Sequence, residues 1–563
     1  MRAALAGALA AWCCGCGGEP GAGSTSTDAA GSEEEGTPWF EERARLSGLE
    51  FRHSTGASGG YLFPETLGGA VALFDADGDA DLDLFLGQGG SLAGEEGAEG
   101  RHRLFENRGA GSFTDVTEGS GVDVPGYSMG VAVGDVDGDG LEDLYLTNVG
   151  PNVLLLNRGG GRFEDVTEAA GVGGSEWSTS ACFVDYDVDG DLDLFVCNYV
   201  FWSLGSDKEC FEASGRRTYC GPHSYNAPIP DRLYRNEGGG RFVDASADSG
   251  ISSRFGNGLG VVAADFNDDG LPDFFVANDR AEDQLWIGLG DGTFRDDAYL
   301  AGVAVGSDGA ERAGMGVDAA DVDDDGDTDL IVVNLHGELD GFYRNEGRYF
   351  VECTTEVGIG AVTRKYTRFG VGFVDFDNDG DLDLYEANGR VTLVGKTFDE
   401  ADPFAEPNAL LERTEGGKWR AVQPVGGTSP VLIHTSRGAA FGDVDGDGGV
   451  DIVVANSSSA PYLLLNRVGE GGHWLRARAV AQSGAAALGA RVTLAVGGRT
   501  MRRDIRAGYS YCSSSEPVAH FGLGEATGQL HLEVRWTDGS QEGFGPFAVD
   551  QQVTLVQGEG KPL

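Results

Sequence analysis

The sequence predicts an all-β protein: a seven-bladed β-propeller with calcium loops, followed by a small C-terminal β domain. Three observations predict it. An aspartate-rich nine-residue segment recurs seven times, each copy lies between two short strand-like runs, and 93 of the 563 residues are glycine. That much glycine without a collagen period marks many tight turns between short strands. Repetition at this period marks a solenoid or propeller rather than a row of unrelated domains.

The first copy, DADGDADLD, carries Asp75, Asp77, Asp79, Asp81 and Asp83. The second, DVDGDGLED, carries Asp135, Asp137, Asp139, Leu141 and Asp143, and the third, DYDVDGDLD, carries Asp185, Asp187, Asp189, Asp191 and Asp193. The fourth, DFNDDGLPD, has Asp265, Asn267, Asp269, Leu271 and Asp273. The fifth, DVDDDGDTD, has Asp321, Asp323, Asp325, Asp327 and Asp329. The sixth, DFDNDGDLD, has Asp375, Asp377, Asp379, Asp381 and Asp383, and the seventh, DVDGDGGVD, has Asp443, Asp445, Asp447, Gly449 and Asp451.

Calcium chemistry explains this spacing. The ion takes six to eight oxygens. Positions one, three and five can turn carboxylates toward one centre, position seven can offer its backbone carbonyl, and position nine can close the shell. A glycine at position six permits the sharp turn. Six copies have it, at Gly140, Gly190, Gly270, Gly326, Gly380 and Gly448. The first has Ala80 there and Gly78 two places earlier, which marks it as the poorest of the seven sites. Asn267 removes one carboxylate from the fourth and is expected to weaken it modestly. These are not EF-hands, which need a bidentate Glu at position twelve and flanking helices.

A second pattern alternates with the first. Val153-Leu154-Leu155-Leu156-Asn157-Arg158 leads through a glycine turn into Arg162-Phe163-Glu164-Asp165-Val166-Thr167. The same order recurs at Leu104 to Asn107 with Phe113 to Val116, and at Leu233 to Asn236 with Phe242 to Asp244. Each unit is then strand, metal loop, strand, connection, strand, turn, strand: a four-stranded antiparallel blade. Residues Leu46 to His53 are expected to add the outer strand of the last blade and so fasten the ring.

The formal net charge of −51 argues against nucleic acid and anionic membrane surfaces as partners. The aspartates lie in fixed patterns inside apolar runs, as carboxylates do when cations neutralise them. Seven calcium ions bring the charge to about −37. Residues 1–16 read as an export signal, with a basic start at Arg2 and an apolar run from Ala3 to Trp12 that is too short to span a bilayer. Cys16 after Gly15 resembles the lipidated position of a bacterial lipoprotein, although Cys13 stands where Leu is usual. Residues 17–38 read as a flexible acidic tether, 39–470 as the propeller and 471–563 as the last domain. Cys210 and Cys220 share one loop and are expected to form a disulfide after export. Cys182 and Cys197 are placed for a cross-strand bridge or for two buried thiols.

The metal loops resemble the FG-GAP/VCBS repeats of integrin α-subunit propellers. The last domain resembles ASPIC/UnbV, in His473-Trp474-Leu475, Leu488-Gly489-Ala490-Arg491-Val492, His520-Phe521-Gly522-Leu523-Gly524 and Trp536-Thr537-Asp538-Gly539. In this order the two resemble the cartilage acidic protein family and its bacterial relatives. The resemblance covers nearly the whole chain beyond the tether, and calcium is read as structural.

No H-E-x-x-H, G-x-S-x-G or phosphate-loop signature occurs, and the eight histidines are scattered. Blade topology puts the metal loops on one face and the long inserts on the other: about Gly87 to His102, Asn198 to Asp231 and Asn388 to Asn408. Trp202, Phe211, Tyr219 and Tyr225 in the middle insert suit either a recognition surface or a stapled insert packed on its own blade. The sequence thus points to a non-catalytic, secreted or cell-surface scaffold that recognises an extracellular protein or glycan. The alternative is a calcium-dependent enzyme acting on polysaccharide through carboxylates near the propeller axis.

Overall fold

The computed structural model describes residues 36–92, 101–393 and 397–563. The expected export signal, nearly all of the tether and parts of two inserts lie outside them. Gly36–Leu563 forms one compact unit.

Seven four-stranded antiparallel meanders follow one another. The second runs Ser128–Gly134, Asp143–Asn148, Val153–Asn157 and Phe163–Asp165. The pattern that predicted it is the pattern that builds it: the first three strands are entirely buried, and the fourth buries Phe163 and exposes its acidic residues. In every blade the first strand ends where the metal loop begins, and the loop's ninth residue opens the second strand. The first strands of the seven blades neighbour one another in a closed cycle.

The ring closes with a strand from the N-terminal side. Phe40–Glu42 pairs with Tyr462–Asn466 of the seventh blade, Phe40 opposite Asn466. This corrects the expectation for Leu46 to His53, which form no strand. Leu49 there is buried by packing against blades one and seven, not by a ladder. Phe40 is the better fastener because its ring packs edge-on against Phe376 at 5.2 Å.

Residues 473–563 form two further sheets. One joins Ala519–Gly524, His473–Val480 and Gln551–Val556; the other is five-stranded and contains Arg499–Asp504, Arg491–Val496 and Leu530–Arg535. Their apolar faces share one buried cluster with blades two and three.

The loop between these sheets enters the propeller axis. Ser513 and Ser514 pair in parallel with Val71 and Ala72, so the first blade gains two inner strands. Ser510 exchanges backbone hydrogen bonds with Val317 at 3.0 and 2.8 Å. Its hydroxyl accepts from Val371 N–H, Ser180 Oγ accepts from Cys512 N–H, and Ser513 and Ser514 donate to Ala439 and Val131 carbonyls. The loop therefore hydrogen-bonds to six blades, and Gly508–Tyr509 packs on the fourth. Tyr511, fully buried, reaches Phe369, with ring centroids 4.9 Å apart.

Cys210 and Cys220 form a disulfide, as expected. Cys182 and Cys197 do not: both are buried free thiols, because Cys182 lies opposite Phe195 in the ladder and Cys197 two residues further along.

Candidate metal centre

Each metal loop is organised by its own carboxylates. The position-one carboxylate accepts the N–H of position six in all seven loops, for example Ala80 to Asp75 at 3.0 Å and Gly448 to Asp443 at 2.9 Å. The position-five side chain accepts the N–H of position seven, again in all seven, as from Leu141 to Asp139 at 2.9 Å and from Gly449 to Asp447 at 2.9 Å; Asn267 at position three does not disturb this in the fourth loop. These bonds fix the side chains of positions one and five against the loop backbone.

Position six is left-handed throughout. Ala80 takes φ 73°, close to the 88–97° of its glycine counterparts, so the first loop keeps the common path at the cost of strain. Position four is left-handed as well, which the sequence reading missed. Val188, Asp268, Asp324 and Asn378 adopt φ of 54–60° there. The signal was present: Gly78, Gly138 and Gly446 occupy position four in the other three loops.

Position nine does more than close a shell. Asp143 is fully buried and accepts two backbone hydrogen bonds, from Val136 at 2.9 Å and from Asn157 at 2.7 Å. The other six ninth-position aspartates do the same, each joining position two of its loop to the third strand. Burial pushes these carboxyls up, to about 7 for Asp83 and about 8 for Asp143, Asp193, Asp273 and Asp329. At position one, burial raises Asp185 to about 6 and Asp375 to about 8. Each cluster thus disfavours its own negative charge.

The third strands supply a residue that sequence reasoning quoted without a role. Asn107, Asn157, Asn236, Asn345 and Asn466 each donate to the position-eight carbonyl of their own loop and to the position-two carbonyl of the preceding blade's loop. Asn107 joins the first blade to the last, reaching Val444 of the seventh loop at 2.8 Å. Five of the seven junctions between neighbouring metal loops are latched in this way; blades four and six carry Gly288 and Arg413 at the equivalent position.

Three or more carboxylates stand within 4.8 Å of one another in Asp75/Asp77/Asp83, Asp135/Asp137/Asp143, Asp185/Asp187/Asp193, Asp321/Asp323/Asp325 and Asp375/Asp377/Asp379. These groups can hold a metal ion. Among the described residues, four buried oxygens of the metal loops have no hydrogen-bond partner: Asp137, Asp187 and Asp445 Oδ1 at position three, and Asp321 Oδ1 at position one. Unpaired buried carboxylate oxygens in an all-oxygen set fit a hard divalent cation.

The C-terminal domain packs on loops four to seven of this face. Arg476 donates to Asp443 at 2.6 Å, Arg499 to Asp324 at 2.6 Å and to Asp381 at 2.8 Å, and Arg491 to Asp268 at 2.7 Å. Gly522 N–H donates to Asp375 at 3.0 Å, and His520 is bonded to Asn378 at 2.7 Å. Loops four to seven thus meet the second domain directly. His520 has a structural contact, and His531 lies elsewhere, exposed.

An FG-GAP-like repeat family model matches residues 75–146, 135–196, 219–276, 265–332 and 321–386, and an ASPIC and UnbV model matches 480–562. Cartilage acidic protein 1 of Xenopus tropicalis is 29% identical over 514 residues, 84% of this chain and 71% of the relative. The human and mouse proteins of that name are each 30% identical over 53% of this chain, but over only 43% and 44% of their own length. Among solved structures, an Agrocybe aegerita lectin that recognises terminal N-acetylglucosamine matches 72% of this chain and 92% of its own, at 15% identity and TM-score 0.36. The BP39L lectin of Burkholderia pseudomallei matches 85% and 99%, at 11% identity and TM-score 0.39. At these scores neither carries an argument. No described helix is long and apolar enough to cross a membrane. The repeats, their order before the last domain and the relatives together assign the chain to the FG-GAP-repeat, ASPIC/UnbV family that includes the cartilage acidic proteins.

Proposed function

We propose that the protein is an exported, non-catalytic recognition scaffold in which calcium is structural and a protein or glycan partner docks on the face opposite the metal loops. The unpaired carboxylate oxygens of the repeated loops carry the calcium half. Each ion would be held by positions one, three, five and nine with the position-seven carbonyl, and would neutralise carboxylates that burial otherwise drives toward protonation. The disulfide supports export.

The exposed aromatics carry the recognition half. The C-terminal domain packs on the metal face, and the inserts extend from the opposite strand ends. There Phe201 is 64% and Phe211 58% exposed, and Phe255 of a neighbouring connection 63%. Of the four insert aromatics expected on this surface only Phe211 is exposed; the others anchor the insert, Tyr225 buried on Phe63 at 5.1 Å, Trp202 against Trp177 at 6.1 Å, and Tyr219 donating to the buried Glu65 at 3.0 Å. Exposed rings on an anchored loop give contact area at low entropic cost.

The polysaccharide-enzyme alternative would need a convergent carboxylate pair outside the metal loops. Asp340 and Glu386 lie together as such a pair, but both are fully buried, out of reach of a polysaccharide. A glycan array and a pull-down with and without calcium test the proposal. Phe201→Ser with Phe211→Ser should abolish partner capture while leaving the melting curve unchanged. Unaltered capture would place recognition elsewhere.

A further inference from the structure

A cavity of about 100 Å³ lies between the loops of blades five to seven and the C-terminal domain. Arg476, Arg502, Arg503 and Arg506 line it. Part of each guanidinium is satisfied. Arg476 donates to Asp443 and Glu516, Arg502 to Thr328 and the Gly326 carbonyl, and Arg503 to the carbonyls of His520 and Arg502. Arg506 Nη1 stands 3.2 Å from Asp318 Oδ1 as an ion pair without hydrogen-bond alignment. The remaining nitrogens Arg476 Nε, Arg502 Nε, Arg503 Nη2 and Arg506 Nε are buried and have no hydrogen-bond acceptor, Arg502 Nε having only a long ion pair with Asp504 at 3.8 Å. Buried donors are rarely left unpaired, and four around one cavity call for an acceptor inside it.

The charge balance says which acceptor. Asp318, Asp321, Asp375, Asp504 and Glu516 share the wall. Asp321 and Asp375 are the first residues of the fifth and sixth metal loops. With divalent cations in those loops, four guanidinium groups face only three other carboxylates, and the cavity becomes cationic.

We propose that this cavity binds one small tetrahedral oxyanion, sulfate or phosphate, in the calcium-loaded protein. Guanidinium forks match such oxygens in geometry and charge. The inference rests on the calcium reading for its charge balance, so calcium stoichiometry is measured first, by equilibrium dialysis, and the two ideas fail separately. Sulfate and phosphate are then titrated calorimetrically into the full chain at constant ionic strength, with chloride as the reference anion. One saturable site is expected, at least about tenfold weaker after chelation. Arg506→Lys keeps a cation opposite Asp318 but removes Nε, and Arg503→Lys removes Nη2. Each should weaken binding about tenfold, the loss of one charge-assisted hydrogen bond. Melting curves without anion establish that both variants fold, and Arg420→Lys, in an exposed pair with Glu412, should bind normally. Absence of saturable binding to calcium-loaded protein, as for a water-filled cavity, overturns the proposal. So does wild-type affinity in both cavity variants.

Discussion

Positions five and nine of one loop should fail in different ways when truncated. Asp143→Ala strands the N–H groups of Val136 and Asn157, which now donate at 2.9 and 2.7 Å to a fully buried carboxylate. Each unsatisfied buried donor costs about 1–3 kcal/mol, so the scaffold loss is about 2–6 kcal/mol. Asp139→Ala removes an exposed side chain whose bonded partner, Leu141 N–H, then turns to water. Its loss is the calcium contribution of one site, about 1.4 kcal/mol with free calcium at ten times the dissociation constant. Urea unfolding of both variants, with calcium and with chelator, separates the roles. The Asp143→Ala deficit should persist in chelator, and the Asp139→Ala deficit should vanish there. A neutral Asp143→Ala in chelator would refute the reasoning, as would an Asp139→Ala deficit of equal size in both conditions.

Ala80→Gly should stabilise the first loop by about 0.5–1 kcal/mol, since relief of the left-handed strain exceeds the added entropy of glycine; a lower urea midpoint would contradict it. His102 is buried, and its Nδ1 accepts from Gln88 N–H at 3.0 Å. Burial depresses it to about 4, so the unfolded chain takes up this proton near pH 6.5 and the folded chain does not. Its contribution to stability is full above pH 6.5 and is lost as pH falls toward 4, by about 3 kcal/mol in all. His102→Gln should therefore reduce proton uptake on unfolding by about one between pH 4 and 6.5, measured by the pH dependence of the urea midpoint.

The blades were legible because metal loop and strand pattern are local. Apolar residues such as Val131, Val133 and Leu144 flank aspartates whose spacing follows from coordination, and both signals occupy consecutive residues. The closing strand was misplaced because alternation misleads in short segments. Leu49 and Phe51 alternate like a strand but pack as coil, whereas Phe-Glu-Glu at residues 40–42 offers a single apolar residue and pairs beside Leu464 and Leu465 of the seventh blade. The axial loop was illegible for the same reason. Gly508 to Ser515 is polar and short, and its buried serine hydroxyls are explained only by backbone groups of blades two, six and seven. The arginine contacts to loops four to seven are likewise tertiary: nothing near Arg499 in the chain announces Asp324 or Asp381.

The central claim is that seven ions hold the ring together. Extracellular calcium sites often have dissociation constants of about 10⁻⁴–10⁻³ M. At ten times that concentration, seven independent sites add roughly 10 kcal/mol. The direct measurement is calcium stoichiometry by equilibrium dialysis, paired with unfolding curves of the same sample before and after exhaustive chelation. Several ions per chain, approaching seven, are expected, with a large fall in the unfolding midpoint on chelation that readdition of calcium reverses. An ion-free chain with an unchanged midpoint would contradict it.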